Sequence, residues 1–179
     1  MKPAVFLDRD GVLTRALVRD GKAYAPVTPA EMEMDADAAA ALARLKAAGF
    51  LLVMITNQPD VARGKTRPED VESMHATLRT ALPLDGAFVC YHDDADACAC
   101  RKPLPGMLLQ AAAAFGIDLA QSFMIGDRWR DIDAGAAAGC RTVWIDRGYD
   151  ERLPEHMPDA RVDSLCAAAD WIAKAPITP

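Results

Sequence analysis

The sequence predicts an α/β fold built on a doubly wound parallel sheet with helices on both faces. Short apolar runs alternate along the chain with longer segments of helical periodicity, the pattern of parallel strands joined by crossover helices. Four of those runs lead into polar residues of particular kinds, at Asp8/Asp10, Thr56/Asn57, the Lys102 region and Asp127. In an open parallel sheet ligands bind beyond the carboxyl ends of the strands, so such residues would share one edge. The bulk figures agree: 179 residues, 51% apolar and 26% charged, suit one globular domain with a sizeable core.

In chain order, Ala4-Val5-Phe6-Leu7 is a continuous apolar run and reads as a fully buried strand. It meets Asp8 and Asp10, and Gly11 lets the chain turn sharply out of the sheet. Onward to about Pro29, scattered apolar residues with Gly21 and Pro26 suggest a turn or small hairpin flap over the strand end. Asp35 to Ala48 is alanine-rich, with Leu42 and Leu45 at helical spacing, and Gly49 terminates it. Phe50 to Ile55 is the second buried strand, followed by Thr56-Asn57-Gln58 and a cationic loop to Arg67. Pro68 opens a helix to about Leu82, after which Ala87-Phe88-Val89 is a short third strand. Residues 90–100 are dense in Cys, His and Asp. Pro103 to Gly106 lead into a helix ending at Phe115-Gly116, and Ser122 to Ile125 is a fourth strand running into Gly126-Asp127. A helix from about Asp131 to Ala138, a fifth strand over Arg141–Ile145, a Pro-rich stretch and a final helix from about Ser164 to Ala173 complete the chain. With no repeat and no linker, residues 1–179 are expected to form a single domain.

The formal charge of −6 disfavours a general nucleic-acid or anionic-membrane binder. No apolar run approaches the ~20 residues of a membrane span, and the N-terminal run reaches Asp8 too soon for a signal peptide. A cytoplasmic protein with no nucleic-acid or membrane partner is expected. Five cysteines cannot all pair, and in a reducing compartment a cluster at Cys90, Cys98 and Cys100 suggests metal rather than disulfide.

Two carboxylates two residues apart repel unless a cation lies between them or one takes a proton. Asp8 and Asp10 therefore read either as a divalent-metal site with a carboxylate nucleophile or as an acidic turn capping a strand. Thr56, Lys102 and Asp127 each have an ordinary reading as a turn residue, a solvated charge or a cap. All of them in this order, each at a strand end, is much harder to assign to chance.

The order resembles the haloacid dehalogenase superfamily of phosphotransferases, with its Rossmann-like sheet. The motifs stand as Asp8-Arg9-Asp10-Gly11-Val12, Ile55-Thr56-Asn57, Lys102-Pro103 and Ile125-Gly126-Asp127-Arg128-Trp129-Arg130-Asp131. The resemblance implies that Asp8 attacks phosphorus to form an aspartyl-phosphate and that Asp10 is the general acid and base. It implies Mg²⁺ held by Asp8, the Asp10 carbonyl and Asp127, with Thr56, the Asn57 backbone and Lys102 on the phosphoryl oxygens. Asp131 either orients Lys102 or a metal-bound water, or caps the following helix.

Cys90, His92, Cys98 and Cys100 offer three thiols and one imidazole, a complete tetrahedral set for a structural Zn²⁺. A loop of so little apolar content would gain its fold from the metal; the alternatives are free thiols or a redox pair. This loop, running into Cys100-Arg101-Lys102-Pro103-Leu104-Pro105-Gly106, resembles the D-glycero-D-manno-heptose-1,7-bisphosphate 7-phosphatases and their relatives the histidinol-phosphate phosphatases, which lack a separate cap domain. Thr56-Asn57-Gln58 followed by Ala62-Arg63-Gly64 supports the same placement. Pro59-Asp60, Val12 and Arg128 depart from the residues common there. The resemblance implies a monomeric phosphatase of a small phosphorylated sugar, heptose bisphosphate, in the supply of lipopolysaccharide precursor. The alternatives are a histidinol-phosphate phosphatase and a non-catalytic zinc-stabilised phosphate-binding adaptor. Arg101, with no assigned partner, is expected to read a second phosphate, the alternative being a solvated charge or one that packs on the Cys/His loop, and Arg63, Lys65 and Arg128 to add positive charge nearby.

Overall fold

The computed structural model describes residues 1–175. Its centre is a six-stranded sheet whose neighbouring strands all pair in parallel. In chain order the strands are β1 (Ala4–Leu7), β4 (Leu51–Asn57), β5 (Gly86–Cys90), β6 (Phe123–Gly126), β7 (Arg141–Ile145) and β8 (Ala160–Val162), and across the sheet they run β5-β4-β1-β6-β7-β8. The chain thus winds outward from β1 in one direction and from β6 in the other. The crevice where the winding reverses lies between β1 and β6, the usual ligand position in such sheets. Register places Leu7 opposite both Met54 and Ile125. Asp8 therefore leaves the sheet beside the ends of β4 and β6.

Alternation along β1 shows why its run is continuously apolar. Val5 and Leu7 join Leu42, Leu45, Leu165 and Ile172 in one core. Ala4 and Phe6 join Met107, Leu108, Ala111 and Ala134 in the other. Helices α1 (Ala38–Ala47) and α5 (Leu165–Lys174) cover the first face, and α3 (Gly106–Phe115) and α4 (Trp129–Ala137) the second. A strand buried on both faces has no polar side. Each fully buried Leu or Phe contributes about 1.5–3 kcal/mol relative to exposure. Helix α2 (Pro68–Ala81) turns Val71, Met74, His75 and Leu78 inward.

The flap expected after Asp10 is a two-stranded antiparallel ribbon, β2 (Leu17–Arg19) and β3 (Lys22–Tyr24). Its turn residues Asp20 and Gly21 both have positive φ, as two-residue hairpins with matching twist require. One strand escapes the sequence reading. β8 is only three residues long, lies at the sheet edge and carries no apolar run. Helix α4 begins at Trp129 rather than Asp131. No helix among the described residues is long and apolar enough to cross a membrane.

Candidate active site

A cavity of about 430 Å³ opens beyond the ends of β1 and β4. Asp8, Asp10, Asn57, Lys102 and Asp131 line it, together with Lys22 and Tyr24 of the ribbon. Its most buried groups are charged: Asp8 is 8% exposed, Lys102 2% and Asp131 1%.

Lys102 spends its three ammonium protons on Asp8 Oδ1 at 2.8 Å, Asp131 Oδ1 at 2.5 Å and the Ile55 carbonyl at 2.9 Å. Burial opposes its charge, but Asp131 and Asp8 outweigh that and hold its pKa above the ordinary lysine value. Its backbone is fixed as well. Asn57 Nδ2 donates to the Lys102 carbonyl at 3.0 Å, and the Lys102 N–H donates to Asn57 Oδ1 at 3.1 Å. Asp131 meets Lys102, but it is not the N-cap of the next helix: Arg128 is, and Asp131 is the third residue of α4, reaching back to it. One oxygen takes Lys102, and the other accepts the Arg128 N–H at 3.1 Å in the first turn of α4.

Asp8, Asp127 and Asp131 each offer an oxygen, all within 4.8 Å of one another. One ammonium cannot balance three buried carboxylates. Burial, reinforced by Asp131 and by Asp10, raises the Asp8 carboxyl to about 7 against the pull of Lys102. Burial, Asp8 and Asp131 likewise raise Asp127 well above the carboxylate range. Both Asp127 oxygens are buried, and the Tyr149 hydroxyl is the polar side chain that faces them and opposes the rise. Gly11, at φ +89°, is the reason they fit there, since a Cβ would overlap the Asp127 carboxylate. Gly126 makes the same room for Asp131. Three buried carboxylates facing one ammonium, with the Asp127 oxygens out of its reach, are a donor set suited to a divalent cation.

Asp10 stands apart from that cluster. Arg9 grips both of its oxygens, Nε to Oδ1 and Nη2 to Oδ2, each at 2.9 Å. Gln58 Nε2 donates to Oδ2 at 2.9 Å and Thr14 Oγ1 to Oδ1 at 3.1 Å. Only the backbone of Asp10 is therefore left to serve a metal. Gln58 also donates to Thr56 Oγ1 at 2.9 Å. Sequence reasoning assigned nothing to Arg9, Thr14 or Gln58. A signal existed for Gln58, which follows Thr56 by two residues and so shares its face.

The four soft ligands converge as the sequence suggests. Sγ of Cys100 lies 3.1 Å from that of Cys90 and 3.4 Å from that of Cys98, and His92 Nδ1 lies 3.4 Å from Cys100 Sγ. These separations approach the roughly 3.8 Å edge of a tetrahedron with metal–sulfur bonds of about 2.3 Å. Burial pushes the Cys90 thiol up to about 12, so a thiolate there calls for a cation beside it.

The three arginines expected around a second phosphate are already engaged. Arg63 binds Asp93 twice, at 2.8 and 2.5 Å, and Arg128 binds Glu151 at 2.8 Å. Both line the cavity. Arg101 does not. Its guanidinium donates to Asp94 at 2.9 Å and to the His92 carbonyl at 3.2 Å, because the Cys/His loop supplies its own carboxylate. Lys22, Lys65 and Arg130 line the cavity instead.

Residues 99–168 match the HAD-hydrolase-like family model. The chain is 34% identical over 176 residues to D-glycero-beta-D-manno-heptose-1,7-bisphosphate 7-phosphatase of Pseudomonas aeruginosa, covering 92% of this chain and 94% of that one. It is 38% identical to the Yersinia pestis enzyme of the same name, over 95% of this chain and 89% of that one. The crystal structure of D,D-heptose 1,7-bisphosphate phosphatase from B. bronchiseptica, complexed with magnesium and phosphate, superposes with a TM-score of 0.80 at 32% identity, covering 95% of this chain and 97% of that one. The chain belongs to the haloacid dehalogenase-like hydrolases, in the family of the heptose-1,7-bisphosphate 7-phosphatases.

Proposed function

We propose that this protein is a Mg²⁺-dependent phosphatase that removes the 7-phosphate of D-glycero-β-D-manno-heptose 1,7-bisphosphate. The observation that carries the reading is the pairing of two carboxylates in opposite surroundings. Asp8 is buried against Lys102, and Asp10 is tied to Arg9 at the cavity wall.

Asp8 attacks phosphorus as the bond to the sugar oxygen breaks, and Asp10, carrying its proton where Gln58 or Thr14 yields its place on the carboxylate, gives that proton to the oxygen. Asp10 then takes a proton from the water that attacks the aspartyl-phosphate, releasing phosphate. Lys102, turning the proton it gives Asp8 Oδ1 towards the phosphoryl group, and the Asn57 N–H hold the moving phosphoryl oxygens, where charge spreads in the transition state. Thr56 Oγ1 already accepts from Gln58, so its own proton is left for the phosphoryl group. Asp8, the Asp10 carbonyl and Asp127 would hold Mg²⁺, which supplies charge neutralisation for the attacking carboxylate and the phosphate. Cys90, His92, Cys98 and Cys100 would hold a structural Zn²⁺. The remote phosphate is read at the cavity mouth by Lys22 and Lys65; Arg63 and Arg128 reach it only by leaving Asp93 and Glu151.

The test is phosphate release from heptose bisphosphate, fructose bisphosphate and histidinol phosphate, with Asp8→Asn as the control. Heptose bisphosphate should be preferred, and Asp8→Asn should be inactive because an amide is a poor nucleophile. A preference for histidinol phosphate, or single-turnover rates within about threefold of wild type for Asp8→Asn, would overturn the reading.

A further inference from the structure

Arg9 lies between the two catalytic carboxylates, yet its side chain is fully buried and does not line the cavity. A buried guanidinium requires acceptors for its donors. Two of its nitrogens form the fork on Asp10. The third, Nη1, faces His75 Nε2 at 3.2 Å. His75 sits on the inward face of α2 with no exposed surface. A guanidinium nitrogen can only donate, so Nε2 must accept and the imidazole proton must sit on Nδ1. Burial and the charge of Arg9 keep His75 neutral, with its pKa pushed down to about 4, as an acceptor must be. Glu72 stands behind it, Oε1 3.9 Å from Nδ1, and is itself held by the Tyr91 hydroxyl at 2.5 Å.

We propose that His75 is a positioning residue for the phosphatase reaction: by accepting from Arg9 Nη1 it fixes the guanidinium fork that holds Asp10 at the cavity wall. The inference rests on Asp10 being the general acid and base. Arg9 grips both Asp10 oxygens, so a shift in its guanidinium turns the whole carboxylate. Gln58 and Thr14 hold one oxygen each and cannot replace the fork. His75 touches neither the cavity nor the buried carboxylate cluster, so it acts only through Arg9.

Leaving-group chemistry separates this role from a purely structural one. A sugar oxygen needs a proton to depart, whereas p-nitrophenolate leaves without one. kcat/KM reports the first, phosphorylating step, so the ratio of kcat/KM for heptose bisphosphate to that for p-nitrophenyl phosphate reads the aim of Asp10. His75→Leu removes the acceptor and should lower that ratio about 10- to 100-fold, through kcat rather than KM. His75→Gln offers an amide oxygen and should return the ratio to within about threefold of wild type. Should His75→Leu not fold, Arg9→Lys carries the test, since it keeps the charge, loses the fork and should lower the same ratio. An unchanged ratio in the folded variant, or a lowered ratio that His75→Gln leaves unrestored, would overturn the proposal. Asp10→Asn is the control for the underlying reading. If it spares the ratio, the general-acid assignment fails; if it lowers the ratio and the variants at His75 and Arg9 do not, the positioning role alone fails.

Discussion

Replacing Asn57 by Leu would test whether the active lysine is held by its backbone as well as by its charge. The Asn57 amide makes two hydrogen bonds to the Lys102 peptide, at 3.0 and 3.1 Å. Leucine has nearly the same size and makes neither. Each neutral hydrogen bond contributes about 1 kcal/mol net, and a buried N–H left without an acceptor costs about 1–3 kcal/mol. The Lys102 carbonyl keeps a second donor in Arg130 Nη1 at 3.3 Å, so the N–H bears most of the loss. Together these give about 2–3 kcal/mol of stability, readable by urea denaturation. The Lys102 ammonium would remain anchored by Asp8, Asp131 and the Ile55 carbonyl, so the protein should still fold. Its peptide would be free to shift, and misplacement by about 1 Å can cost about 100-fold in rate. A fall of about 10- to 100-fold in kcat/KM is expected. Loss of stability with wild-type kcat/KM would show that the clamp serves the loop alone, and loss of neither would refute the energetic reasoning.

Asp127→Asn removes a charge that is buried against Asp8 and Asp131; it should raise the melting temperature in chelator and abolish the increase that Mg²⁺ produces. A retained Mg²⁺ shift by thermal denaturation would place the cation elsewhere. Elemental analysis should find one zinc per chain, and Cys98→Ala should lose it along with much of kcat/KM while keeping the Mg²⁺-induced stabilisation. Zinc-free protein with five freely titrating thiols would refute this. His75 meets Arg9 and Asp10 from the β1 side and Glu72 and Arg79 from its own helix. Its folded pKa of about 4 lies below the unfolded 6.5, so as pH falls the unfolded chain takes the proton first. Its contribution is complete above pH 6.5 and is lost between there and pH 4, by up to about 3 kcal/mol. Denaturation at pH 7 and pH 4.5 should show a shallower acid loss in His75→Gln than in wild type; identical slopes would refute it.

The sheet was legible wherever burial is two-sided, because β1, β4 and β6 then read as unbroken apolar runs. β8 was not, since an edge strand of three residues needs no such run. The order of the site motifs was legible, but not the atoms they use. Asn57 is visible in the sequence as a polar strand end; that its side chain clamps Lys102 depends on a loop 45 residues away. Arg101 shows the converse. A guanidinium after the Cys/His cluster looks free in sequence, and only the fold reveals that Asp94 of the same loop takes it. Arg9 was silent for a similar reason. A charge in a turn reads as solvated until α2 is found lying over it.

The two aspartates of the first motif illustrate how a fold divides labour between identical groups. They are two residues apart, yet Asp8 faces Lys102 and the other buried carboxylates, while Asp10 faces Arg9 and two neutral donors. Arg9 also keeps the second aspartate's charge balanced locally, so it adds less to the crowding around Asp127. These surroundings do not by themselves assign the roles: burial raises the Asp8 carboxyl against its use as a nucleophile, which a cation held beside it by Asp127 would reverse. The arrangement depends on groups distant in sequence: Lys102 arrives from the end of the Cys/His loop, and the acceptor for Arg9 arrives from α2. A change in either loop or helix should therefore alter one carboxylate's role without touching the other's, a separation that the Asn57 and His75 variants measure independently.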